Sequence, residues 1–106
     1  MTLQQLEYVV ALADHGQFLK AAEACEVTQP TLSSMIQKLE EELGAKLFDR
    51  RSKPVVPTAV GRVVVEQARE LLSGAQRLRD RVDEQQNAAF SAGILTQISA
   101  SRFANQ

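Results

Sequence analysis

One cysteine, no tryptophan and a single histidine stand among these 106 residues. A lone thiol excludes an internal disulfide framework and any multi-cysteine zinc site. No apolar run approaches the roughly 20 residues that a membrane-spanning helix needs. The first residues, Met1-Thr2-Leu3-Gln4-Gln5, lack the basic and apolar regions of a secretion signal. The reading is therefore a cytoplasmic protein without a membrane partner. No acid, base, nucleophile and phosphate loop converge in the pattern, which argues against an enzyme and gives no reason to expect a cofactor or a metal. Net charge is only -1, so there is no overall basic excess to draw the chain to nucleic acid.

The distribution of charge is more informative than its sum. Residues 45–62 carry Lys46, Arg50, Arg51, Lys53 and Arg62 against Asp49 alone. Residues 27–44 carry Lys38 against Glu40, Glu41 and Glu42. An acidic segment thus precedes a basic one. A solvated mixed surface would read the same way, so the neighbouring motifs must decide.

Thr2-Leu3-Gln4-Gln5 fits a capping box, and Leu3, Leu6, Val10 and Ala13, with Val9 and Leu12 alongside, then mark one face of a helix that stops at His15-Gly16. Phe18, Ala21, Ala22 and Cys25 mark a short second helix, with Cys25 expected in the core. Glu26-Val27-Thr28 is a tight connection to a third helix, capped by Thr28 and with Pro30 in its first turn. Leu32, Ile36, Leu39 and Leu43 form its apolar ridge, and Gly44 suits its end. Two short helices joined by such a turn make a helix-turn-helix, spanning about residues 18–37.

At about 100° per residue, that ridge leaves Pro30, Ser34, Gln37 and Glu41 facing outward, flanked by Ser33 and Lys38. Thr28, Gln29 and Thr31 sit at the N-terminal end. Amides and hydroxyls suit base edges, and the free N–H groups of a helix start suit a phosphate. The run Glu40-Glu41-Glu42 would be repelled by phosphates, so the helix should enter the groove N-terminus first. Residues 46–57 lose the helical period. Lys46-Leu47-Phe48-Asp49-Arg50 and Pro54-Val55-Val56 read as two short strands of an edge hairpin, a wing that displays Arg50, Arg51, Ser52 and Lys53.

Thr58 starts a last helix over residues 59–86. Val64, Ala68, Leu71, Ala75, Leu78 and Val82 recur in steps of 4, 3, 4, 3 and 4, a heptad seam for a second copy of the chain or for a further domain. Beyond about Asn87 the pattern fades, and Phe90, Ile94 and Ile98 make at most a weak ridge. The expected architecture is mainly α: a winged helix-turn-helix over residues 1–58, then a long dimerising helix, then a tail without a structural reading.

Ala21 to Ser33, Ile36 to Gly44, Leu47-Phe48-Asp49-Arg50 and Thr58-Ala59-Val60-Gly61 together resemble the signature of LysR-type transcription regulators over residues 1–86. Leu6-Glu7-Tyr8, Thr28 to Ser33 and Lys53 to Thr58 are most similar to the peroxide-responsive OxyR group of that family. The resemblance implies base contacts from Gln29, Pro30, Ser33 and Ser34, and backbone or minor-groove contacts from the wing near Ser52 and Lys53. Many members carry Arg at the position of Ser34, so the sequence preference here should differ. It also implies a homodimer, a tetramer in a longer form, an oxidative-stress response, and a sensing domain that these 106 residues do not contain.

Two functions compete at this level. One is a DNA-binding transcription regulator acting as a dimer on double-stranded DNA. The other is a winged-helix protein-interaction module, or a truncated regulator that only dimerises. Each outward polar residue alone fits a solvated surface. Cap, turn and basic wing together favour DNA.

Overall fold

A computed structural model describes residues 1–104, with side chains through Gly93. The order is α1 (Leu3–His15), α2 (Phe18–Ala24), α3 (Gln29–Leu43), β1 (Phe48–Asp49), β2 (Val56–Pro57) and α4 (Ala59–Ala104). It falls into two compact units, one ending at Ser73 and the other beginning at Gly74 within α4.

The helix ends form for local reasons. The Thr2 hydroxyl accepts the Gln5 amide at 3.1 Å while the Gln5 side chain accepts the Thr2 amide at 2.9 Å, closing the expected capping box. The Thr28 hydroxyl accepts the Thr31 amide, and Gly44 closes α3 in a left-handed conformation. The turn between α2 and α3 passes through Glu26, which takes a positive φ of 58° without being glycine.

The core of the first unit joins Leu6, Val9 and Leu12 of α1, Ala21 and Ala22 of α2, and Leu32, Ile36 and Leu39 of α3. Leu47 and Phe48 close it beside the wing, and Val65 and Ala68 close it from α4. These side chains are nearly all without solvent contact, and their apolar area removed from water is the main force holding the three helices together. Gln5 is buried with them and donates to the Met35 carbonyl, linking α1 to α3.

Four findings refine the sequence expectations. The strands are only two residues each, and the second lies at Val56–Pro57 rather than Pro54–Val56, paired antiparallel so that Phe48 meets Pro57. Leu43 is exposed, so the buried ridge of α3 stops at Leu39 and its last turn is Glu40's instead. Cys25 caps the C-terminus of α2 and is partly buried, packing against the edge of the core rather than at its centre. The last helix does not end near residue 86. Ala88, Ala89 and Ala92 are strong helix formers and carry it on, which charge and heptad patterning alone do not reveal. Phe90 is exposed, and the Ile94 and Ile98 side chains expected beside it lie outside the described residues.

The base of the wing is tied to the start of α4. Thr58 caps that helix through the Gly61 amide at 3.0 Å and donates to the Lys46 carbonyl at 2.7 Å. Gly61 passes so close to Leu47 that a Cβ there would overlap the Leu47 carbonyl group.

Candidate nucleic-acid interface

Helix α3 presents the predicted polar face to solvent. Thr28, Gln29, Pro30, Thr31, Ser34, Gln37 and Lys38 are exposed and Ser33 is half-buried. The Thr28 hydroxyl is engaged at the helix start, hydrogen-bonded to the Thr31 hydroxyl at 2.8 Å as well as to the Thr31 amide. It shapes the N-terminus, while Gln29, Thr31, Ser34 and Gln37 offer donors and acceptors outward.

The acidic run does not behave as one block. Glu40 is buried against Leu47 and Arg50, Glu42 pairs with the amino group of Met1 at 2.9 Å, and Glu41 is left exposed. Glu40 accepts the Leu47 amide at 2.7 Å and both Arg50 guanidinium nitrogens, at 2.9 and 3.3 Å. Burial alone would raise its pKa. The hydrogen bonds from Arg50 and the Leu47 amide, with the charges of Arg50 and Lys46, outweigh that and hold the carboxyl below its ordinary value.

Arg50 is consequently not a free wing cation like Arg51 and Lys53, although a third of its side chain remains exposed. Its guanidinium is held by Glu40 and lies over the Phe18 ring, 5.6 Å from the centroid. Arg51 is the displayed one, with its side chain 96% exposed and its guanidinium 3.7 Å from Asp49. Lys53 is exposed too. Ser52 faces inward to the turn, where its hydroxyl is within reach of the Asp49 and Pro54 carbonyls, at 3.3 and 2.9 Å. A shallow hollow lined by Lys46, Arg50, Arg51 and Thr58 lies at the foot of the wing, and a second one lined by Gln37, Glu41 and Lys46 adjoins the end of α3. Lys46 therefore borders both hollows. It is absent from the residues that the sequence pattern singles out for DNA, although its charge and its place close after Gly44 are signals for it.

The heptad residues divide. Ala68 is 1% exposed and packs mainly in the core of its own unit, at the floor of an apolar groove. Val64 is half-buried, and Leu71 is 49% exposed on the same unit. Val64 and Leu71 line an apolar groove with Met1, Leu6, Leu43 and Val63. In the second unit Ala75 is half-buried, while Leu78 and Val82 are 66% and 46% exposed. Among the described residues no cluster of acidic, histidine or cysteine side chains could hold a metal, and no helix is long and apolar enough to cross a membrane.

Residues 3–62 match the bacterial regulatory helix-turn-helix proteins of the lysR family. The chain belongs to that family. It is 47% identical over 88 residues to a hydrogen peroxide-inducible genes activator of Dickeya chrysanthemi, covering 83% of this chain and 29% of that protein. It is 51% identical over 85 residues to the SDS degradation transcriptional activation protein of a Pseudomonas species, covering 80% of this chain and 28% of the relative. Among solved structures, BenM_DBD in complex with benA site 1 DNA superposes with a TM-score of 0.76 at 39% identity, covering 79% of this chain and 94% of that one. Full-length OxyR from Pseudomonas aeruginosa gives 0.75 at 46% identity, covering 78% and 28%. The chain thus spans under a third of the length of these two curated relatives.

Proposed function

We propose that this chain is the DNA-binding and dimerising part of a LysR-family transcription regulator. Residues 1–58 form the reading head and α4 the dimer helix. The observation that carries the reading is the capped α3, with Gln29, Pro30, Thr31, Ser34 and Gln37 open to solvent, beside a wing whose Arg51 and Lys53 are exposed. The N-terminal half of α3 enters the major groove, where Gln29 suits an adenine edge and the hydroxyls of Thr31, Ser33 and Ser34 suit either partner of a base pair. Arg51, Lys53 and Lys46 neutralise phosphates. Glu41 lies toward the C-terminal end, which leaves the groove. The similarity to BenM_DBD, solved in complex with DNA, supports DNA as the partner.

A second copy of the chain covers the apolar groove of Val64, Leu71, Val63 and Leu43, and the apolar residues Leu78 and Val82. Large apolar side chains in 4-3 spacing have no reason to remain in water. A longer form sharing this part would act on DNA in the cytoplasm, and the peroxide-activator relatives make oxidative stress the first condition to try. Titrating duplex DNA into the chain at several salt concentrations tests the core of the reading. The logarithm of affinity should fall linearly with the logarithm of salt. Binding that ignores salt, or none, would favour a protein-interaction module.

A further inference from the structure

We propose that the Glu40–Arg50 pair is a positioning device for DNA recognition, which sets the wing in register with α3. This rests on the reading of the chain as a DNA-binding protein. One carboxylate takes three donors: the Leu47 amide and two nitrogens of Arg50. The same guanidinium stacks over Phe18 at the start of α2. One side chain from the foot of the wing is therefore fixed at once to the recognition helix and to the helix before it. The wing is otherwise held by the burial of Leu47 and Phe48, by the backbone hydrogen bond between Val55 and Gly16, and by Thr58, which donates to the Lys46 and Leu47 carbonyls. The fork of Arg50 on Glu40 adds a directional side-chain tie from the foot of the wing to α3.

The chemistry chosen is directional. Glu40 is buried and the Arg50 side chain is one-third exposed. An ion pair taken partly out of water contributes little net stability compared with apolar residues of similar volume, so stability alone does not account for a charged pair at this place. A planar guanidinium forked onto a carboxylate fixes direction as well as distance. It also withholds Arg50 from phosphates and leaves Arg51 and Lys53 as the displayed cations. The wing then meets the DNA already aimed, at a fixed offset from Gln29 and Ser34, and little ordering remains to be done on binding.

Loss of the lock should have an asymmetric effect. Cations on a loosened wing still find phosphates on any duplex, and a released Arg50 can join them. Simultaneous seating of wing and helix on one preferred sequence suffers instead. The test uses the whole chain, a duplex that the wild-type protein selects from a random-sequence pool, and a mixed-sequence duplex. Glu40→Gln should lower the ratio of selected to mixed-sequence affinity by about tenfold, through weaker preorganisation. Its salt slope on the mixed duplex should stay the same or steepen by up to about one unit. Arg50→Lys keeps the charge but not the fork, should fold, and should lower the same ratio. It decides the matter if Glu40→Gln does not fold. Partial unfolding would cut both affinities by one factor and leave the ratio alone. An unchanged ratio in the folded variants overturns the proposal, as does an equal loss on both duplexes. Salt-independent or absent binding by the wild type would instead strike the DNA-binding reading itself.

Discussion

The Val55 amide donates to the Gly16 carbonyl at 2.9 Å, so the wing is hydrogen-bonded to the end of α1 as well as to α3. Gly16 serves that contact in two ways. Its φ is +68°, a conformation costly for residues with a Cβ, and a Cβ there would lie 2.8 Å from the Pro54 Cβ.

Gly16→Ala should therefore cost about 1–3 kcal/mol, the usual range for a non-glycine residue held in the left-handed region. In a unit of this size that is a fall in melting temperature of about 4–8 °C per kcal/mol. Gly61→Ala should cost more, because its close approach to the Leu47 carbonyl leaves no room without moving backbone. Thermal melts followed by circular dichroism check both. A melting temperature unchanged in Gly16→Ala would mean that neither the left-handed backbone nor the approach of Pro54 penalises a Cβ there.

The wing and α3 should separate in mutational effect. Arg51→Ala and Lys53→Ala should weaken binding to every duplex and flatten the salt slope by roughly one unit for each phosphate left without its cation. Gln29→Ala should cost about 1–3 kcal/mol on the preferred sequence and little elsewhere. Fluorescence anisotropy on a selected and a mixed duplex distinguishes the two behaviours. Equal weakening on both duplexes for Gln29→Ala would remove it from base reading.

Association should depend on the apolar residues of α4 that their own unit does not cover. Leu71→Glu with Leu78→Glu places two charges on exposed apolar positions and should convert dimers to monomers in analytical ultracentrifugation. Ala68→Ser makes a useful contrast. Ala68 is buried in its own core, so this change should lower the melting temperature rather than the association constant. A dimer that survives the double substitution would show that the seam lies elsewhere.

Much of this is legible in the sequence because its signals are local. Caps at Thr2 and Thr28, the stops at Gly16 and Gly44, and the ridge Leu32-Ile36-Leu39 depend on neighbours within one or two turns. Glu40 is legible in part. Ile36, Leu39, Glu40 and Leu43 stand at i, i+3, i+4 and i+7, which puts the carboxylate on the apolar face, but adjacency groups it with Glu41 and Glu42. The partner that makes its burial tolerable, Arg50, is ten residues away and carries no periodic signal. The same limit explains Ala68. A 4-3 repeat identifies an apolar stripe but does not say how much of it the chain's own domain consumes. The shift of β2 to Val56–Pro57 follows from the bonds of Val55 to Gly16 and of Thr58 to Leu47, which are tertiary contacts.

Glu40 should also make stability depend on acid. Its folded-state pKa is depressed, with the hydrogen bonds and charges around it overcoming the burial that would raise it. A group of this kind adds stability that is fully present above its unfolded pKa, about 4.3 for glutamate, and lost as pH falls through the lower folded value. Glu40→Gln cannot ionise and lacks that contribution at every pH. At pH 7 the variant should be less stable than wild type by about 1.5–3 kcal/mol, the range for a hydrogen bond to a charged group. As the pH drops below about 4.3, the unfolded wild-type chain takes up the proton first and the native carboxyl only at the lower folded value, and over this interval the two proteins should converge. The other carboxylates, including Asp14 paired with Arg69, are common to both and largely cancel in the difference. Urea denaturation of both proteins from pH 7 down to pH 3 measures it. A stability gap that stays constant across that range would mean that the carboxylate charge of Glu40 contributes nothing to holding Leu47 and Arg50 in place.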